Sequence, residues 1–191
     1  MATIGIDFDL TIVDCVFQDG AWIDHLNAVS YHHISKEQFA NMEEIDYNLG
    51  NYYPDLTEAE SFTFWKDTSL YQKLKPYESV VKVINNLAKQ GHKIVFISHC
   101  QQNHFKSKVV AAKEWFDIPK ESFGFLATKE KHFANVDVMI DDRNVFLNSF
   151  NDKVIKIKFD TPYSQDEPLR VSVDLCTDNW YEIGKFLDEV L

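Results

Sequence analysis

Residues 4–14 read IGIDFDLTIVD. Together with Thr3 they open on an apolar, β-branched run, Thr3–Phe8, that ends in carboxylates. A strand buried on both faces has this look. The pattern recurs at Lys93–Ser98 (KIVFIS), at Phe123–Ala127, at Val136–Ile140 (VDVMI, followed by Asp141 and Asp142) and at Val154–Phe159. Helical periodicity fills the gaps. Ser79–Gln90 places Val80, Val83, Ile84 and Leu87 on one face and stops at Gly91, a helix C-terminal signal. Asn103–Phe116 is also predicted helical, and Asp178 or Asn179 caps a last helix with Trp180, Ile183, Phe186, Leu187 and Val190 facing inward. Strands alternating with helices predict βαβ units, hence an α/β fold with a parallel five-stranded sheet.

One stretch departs from this rhythm. Residues 15–75 hold Phe17, Trp22, Tyr31, Tyr47, Tyr52, Tyr53, Phe62, Phe64, Trp65 and Tyr71 but few Val or Ile. Helix-like segments such as SKEQFANMEEI lie within it, and Thr57 and Glu60 have capping-box spacing. The expectation is a small helical cap subdomain, residues 15–75, inserted after the first strand of a core made of residues 1–14 and 76–191.

A chain of 191 residues with 45% hydrophobic and 14% aromatic content can bury a full core and is not disordered. Thirty acidic against 19 basic residues leave a net charge of −11, which opposes binding a polyanion such as nucleic acid. Cys15, Cys100 and Cys176 are too scattered for a disulfide framework or a zinc site. The N-terminus lacks a signal-peptide pattern and no apolar run approaches membrane-spanning length, so the expected compartment is the cytoplasm.

In an open parallel sheet, ligands bind beyond the carboxyl ends of the strands. The polar residues found there are Asp7, Asp9, Thr11 and Asp14 after the first strand, Ser98, His99 and Cys100 after the second, and Asp141 and Asp142 after the fourth, with Lys129 and Lys131 between the third and fourth. Carboxylates that converge cannot all stay ionised without a cation, and oxygen-only ligands suit Mg²⁺. One carboxylate held beside a second can act as a nucleophile with its own acid/base partner, and a lysine can balance an incoming anion. These residues point to Mg²⁺-dependent phosphoryl chemistry at an aspartate. His32, His33, His99 and His104 have no third soft ligand nearby in sequence and read as surface histidines rather than metal ligands.

IGIDFDLTIVD resembles the first motif of the haloacid dehalogenase superfamily, D-x-D-x-T/V; VFISH is similar to its second, Lys131 stands at the third and VMIDD at the fourth, in that order. The resemblance implies a Rossmann-like core. A narrower likeness joins FWKDTSLYQKLKPYESVVKVINNL and VFISHC to the 5′(3′)-deoxyribonucleotidases: Trp65 stands eleven residues before Pro76, and Lys131 eleven before Asp142. The chain departs from that family at Leu10, where it usually has Gly, at Ser98-His99-Cys100, where it has Thr-Ser-Pro, and at Cys15, where a base-holding aromatic is expected.

The resemblance implies that Asp7 is the nucleophile and a Mg²⁺ ligand, and that Asp9 is the general acid/base, with its main-chain carbonyl on the metal. Asp142 is then the third protein ligand and Asp141 a supporting or alternate one. Ser98, His99, Lys131 and Thr11 face phosphate or substrate, and Trp65 faces the base. The implied substrate is a (deoxy)nucleoside monophosphate. Alternatives are another small phosphomonoester such as a sugar phosphate, or a nucleotide-binding protein without turnover; the intact Asp7, Asp9 and Lys131 weigh against the last. Base, sugar, phosphate position and oligomeric state stay open.

Overall fold

The computed structural model describes residues 1–100, 104–164 and 167–191. Six strands, β1 (Thr3–Ile6), β2 (Lys93–Ser98), β3 (Phe123–Ala127), β4 (Val138–Asp141), β5 (Ile155–Phe159) and β6 (Leu175–Thr177), form one sheet in the order β3-β2-β1-β4-β5-β6. Every pairing is parallel. The sheet therefore has six strands rather than the five expected. The sixth, Leu175-Cys176-Thr177, is too short and too polar at its flanks to announce itself, and it exists because the Ile157–Phe159 edge of β5 accepts it.

β1 stops two residues before its apolar run does. After Ile6 the chain enters a tight turn in which Ile12 N–H donates to Phe8 O (3.1 Å) and Leu10 N–H to Val13 O (2.9 Å). Gly5 answers a packing demand at the sheet centre: a Cβ there would lie 2.9 Å from Ile97 Cδ1 and 3.0 Å from Met139 Sδ.

The insertion after β1 is helical, as expected, but broken into short pieces: α1 (Trp22–Val29), α2 (Lys36–Ala40), α3 (Glu58–Ser61) and α4 (Leu70–Lys73), with 3₁₀ turns at Leu49–Tyr52 and Phe62–Lys66. The Thr57–Glu60 capping box forms, and a second joins Ser35 to Gln38. The helix begun at Thr57 is not continued, because Phe62, Phe64 and Trp65 close on Trp22 in a 3₁₀ turn. Asp67 then restarts the chain by accepting from Ser69 N–H and Oγ–H (2.8 and 2.7 Å).

Beyond the insertion come α5 (Glu78–Lys89), α6 (His104–Trp115), α7 (Asn144–Leu147) and α8 (Trp180–Val190). Gly91 follows α5 with φ +90°, the left-handed conformation that ends a helix. Asn103, the expected start of α6, lies outside the described residues. Asn179 caps α8. Val190 does not face inward as expected: it is 45% exposed in the last turn, past the sheet, while Trp180, Ile183 and Leu187 are buried. The main core joins the sheet to α5, α8 and the insertion, and a smaller cluster around Ile97, Met139, Leu147 and Phe150 is packed separately from it. Each such apolar side chain contributes roughly 1.5–3 kcal/mol on burial, so the sheet that carries the functional loops is firmly packed.

Candidate active site

β1 lies between β2 and β4, so the chain first builds outward on one side of it and then crosses to the other. A crevice at the carboxyl ends of the strands follows from that reversal. Asp7 sits on its rim, anchored by its N–H to Ile140 O (2.9 Å). The carboxylates of Asp7, Asp141 and Asp142 each offer an oxygen within 4.8 Å of the others, and all three residues are buried.

Lys131 enters this cluster from a 3₁₀ turn, Lys131–Phe133. Its Nζ donates to Asp7 Oδ1 (2.6 Å) and Asp141 Oδ2 (2.7 Å) and lies 4.1 Å from the centre of the Phe146 ring. Burial alone would lower the lysine's pKa; the two carboxylates outweigh it and push the value up. Burial raises Asp141 to about 6, although Lys131 opposes this. Asp142 is driven well above the carboxylate range by burial first, then by Asp7 and Asp141. Its Oδ1 accepts from Thr11 Oγ–H (3.3 Å); its Oδ2 is buried and has no hydrogen-bond partner among the described residues. Behind it, Lys158 of β5 donates to the Asp142 carbonyl and to Ser164 Oγ.

Asp9 lies one turn further out. Lys108 Nζ donates to its Oδ2 (2.5 Å) and to Ser98 Oγ (2.8 Å), and the Tyr71 hydroxyl donates to its Oδ1 (2.6 Å). Ser98 ends β2, the strand paired with β1, and Lys108 bridges it to Asp9.

A cavity of about 450 Å³ opens onto this cluster. Asp7, Asp9, Asp142, Lys131, Lys108 and Ser98 form its charged side; Trp22, Phe62 and Trp65 bring aromatic surface from the insertion. His99, His104, Lys129, Tyr47 and Arg143 also line it. Trp65 is half-buried and packs edge-on against Trp22 (5.4 Å, 76°) and Phe64 (5.0 Å, 84°). Arg143 lies 3.7 Å from the Tyr47 ring centre and pairs with Glu167.

The structure thus brings together Asp7, Asp9, Ser98, His99, Lys131, Trp65 and Asp142 on one cavity, with Asp141 directly behind. Thr11 is fully buried and its hydroxyl goes to Asp142, so it holds a carboxylate instead of facing the cavity. Cys15, where the resemblance expects a base-holding aromatic, does not line the cavity: it is fully buried, with its Sγ 3.7 Å from Asp9 Oδ1. His104 is not a surface residue either, being 3% exposed. The sequence reading missed Lys108, Tyr71, Arg143 and Lys158. Lys108 left one trace: it shares a helical face with His104, Ala111 and Ala112, all buried. Nothing local marks the others.

The donor set suits a hard divalent cation. It is oxygen-only, it crowds three acids against one lysine, and it leaves a buried carboxylate oxygen, Asp142 Oδ2, without a partner among the described residues. These residues fit Mg²⁺.

Solved structures share the fold at low identity. A predicted phosphoglycolate phosphatase from Haemophilus somnus superposes with a TM-score of 0.63 at 15% identity over 97% of each chain. A predicted phosphatase from Clostridium acetobutylicum gives 0.62 at 14% identity over 100% of each chain. No curated protein matches the sequence. The family model described as 5′ nucleotidase, deoxy (Pyrimidine), cytosolic type C protein matches residues 2–187. With that match over nearly the whole chain and an aspartate cluster at the switch point of the sheet, the protein belongs to this deoxyribonucleotidase family of the haloacid dehalogenase superfamily and is a phosphoric monoester hydrolase.

Proposed function

We propose that the protein is a Mg²⁺-dependent 5′(3′)-deoxyribonucleotidase acting on nucleoside monophosphates through an aspartyl-phosphate. The observation that carries this reading is the aromatic surface of Trp22, Phe62 and Trp65, set in the same cavity as the carboxylates. A volume of about 450 Å³ suits one mononucleotide, and a net charge of −11 disfavours a polymer.

In this reading Asp7 attacks phosphorus in line, and Asp9 gives a proton to the departing alkoxide. Asp9, now a base, takes a proton from the water that hydrolyses the aspartyl-phosphate. Lys131 keeps the nucleophile oriented and meets the phosphate charge. Ser98 Oγ accepts from Lys108 and its O–H would donate to a phosphate oxygen, beside the His99 N–H. Mg²⁺, held by the Asp7 and Asp142 carboxylates and the Asp9 carbonyl, would neutralise the repulsion between nucleophile and phosphate. Residues 15–75 act as the cap that shields the reaction from bulk water.

A panel of nucleoside and sugar monophosphates, assayed for phosphate release with Mg²⁺ and with EDTA, tests the reading. Metal-dependent turnover highest on nucleotides is expected; preference for a sugar phosphate over every nucleotide would refute it. Trp65→Ala should cost roughly 1–3 kcal/mol in kcat/KM on nucleotides, the range for one lost base stack. It should affect p-nitrophenyl phosphate much less. Equal losses on both would make Trp65 a packing residue only.

A further inference from the structure

Tyr71 belongs to the insertion, yet its hydroxyl ends on Asp9. The O–H donates to Asp9 Oδ1 at 2.6 Å, the residue is 1% exposed, and its ring packs edge-on to Phe8 (5.4 Å, 83°) and to His104 (5.7 Å, 90°). The other oxygen of Asp9 is held by Lys108. One carboxylate is therefore gripped at both oxygens, from the core on one side and from the insertion on the other.

A carboxylate bond to its chain turns easily, since that torsion is broad and roughly two-fold. With one donor, the group still pivots about that contact. With two donors from different elements, its plane is set. Burial first, then the charge of Asp9, push the Tyr71 pKa far up, so the phenol keeps its proton and remains a donor.

We propose that Tyr71 is a positioning residue for Asp9, so that proton transfer is aligned only when the insertion is seated on the core. The inference rests on the assignment of Asp9 as acid/base and holds for any phosphomonoester. Among the described residues the Tyr71 hydroxyl bonds to Asp9 and not to the Asp7–Asp141–Asp142 cluster, so deleting it should leave substrate and metal binding intact. Misplacement of a reacting group by about 1 Å can cost on the order of a hundredfold in rate; losing the phenol should cost less, because Lys108 still holds Oδ2 and the weak Cys15 thiol still reaches Oδ1 at 3.7 Å.

Tyr71→Phe tests this, because it keeps the ring packing and deletes only the O–H. On p-nitrophenyl phosphate and on the best monophosphate, kcat should fall about tenfold, a loss of roughly 1.4 kcal/mol, with KM nearly unchanged. An unchanged kcat overturns the proposal, as does a KM that rises in step with the loss, which would mean a loosened cap. Asp9→Asn is measured in parallel: if it retains turnover, the acid/base assignment itself fails, whereas an inactive Asp9→Asn beside a fully active Tyr71→Phe sinks only the Tyr71 proposal. Should Tyr71→Phe fold poorly, a crystal structure of the wild type with Mg²⁺ and beryllium fluoride decides. Tyr71 Oη within hydrogen-bond reach of Asp9 supports the proposal, and a phenol turned away refutes it.

Discussion

Asp7 shares one oxygen with Lys131 and sits among two further buried acids, so its charge does two things at once. It makes the residue a nucleophile, and it helps raise the proton affinity of Asp142. Asp7→Asn should separate these effects. An amide cannot form the acyl phosphate, so turnover should drop by more than a thousandfold; a loss below tenfold, about 1.4 kcal/mol, would remove Asp7 from the role. The fold should persist, because Lys131 keeps Asp141 and the cluster sheds a repelling charge. Circular dichroism and the thermal midpoint check that half. The placement of Asp7, Asp9, Ser98 and Asp142 on one cavity was legible in the sequence because each lies at or just past the end of an apolar run. Tyr71 and Lys158 were not, since a tyrosine in an aromatic-rich insertion and a lysine in IKIKF look like packing and surface residues. Their partners, Asp9 and the Asp142 carbonyl, lie far off in the chain.

At the scale of elements, the turn after β1 sets the spacing between Asp7 and Asp9. Leu10 in that turn has φ 63°, the left-handed region, where the related family usually has Gly. It is also 5% exposed and part of the main core. Leu10→Gly would relieve about 1–2 kcal/mol of backbone strain but remove a buried side chain worth roughly 2–5 kcal/mol and add chain entropy to the unfolded state. Packing wins, so the variant should be about 1–3 kcal/mol less stable by urea denaturation; a gain in stability would show that strain dominates. The same competition explains the insertion. Its capping boxes formed where local chemistry dictated them, but Trp22, Phe62, Phe64 and Trp65 pulled the following residues out of a continuous helix. β6 shows the reverse case, three residues recruited into the sheet by an edge already present.

For the whole molecule, the converging loops concentrate negative charge that Lys131 and Lys158 offset only in part. Asp141, raised to about 6, and Asp142, also driven well above the usual carboxylate range, bind protons more tightly folded than unfolded. Their contribution to stability is therefore lost as pH rises through those folded values and recovered as pH falls toward the unfolded value near 4. Mg²⁺ competes with the same protons. Its stabilisation, about 2.7 kcal/mol at a hundredfold excess over Kd, should be larger at about pH 7.5 than at about pH 5.5. Thermal midpoints with Mg²⁺ and with EDTA at both pH values check this; equal increments would place the ion away from these carboxylates.

By itself the sequence determined the strands β1 to β5, the helices α5, α6 and α8, the insertion after β1, and which acids end which strand. All of these depend on side-chain periodicity over a few residues, and on chain order. Tertiary structure alone decided that Tyr71 and Lys108 reach Asp9, that Thr11 turns to Asp142 and not to the cavity, that Cys15 is covered, and that β6 joins the sheet. The physical reason is common to them: a polar group is buried only where a partner from elsewhere in the chain compensates its lost water. That partner is set by how the elements pack, and no local pattern of residues encodes it.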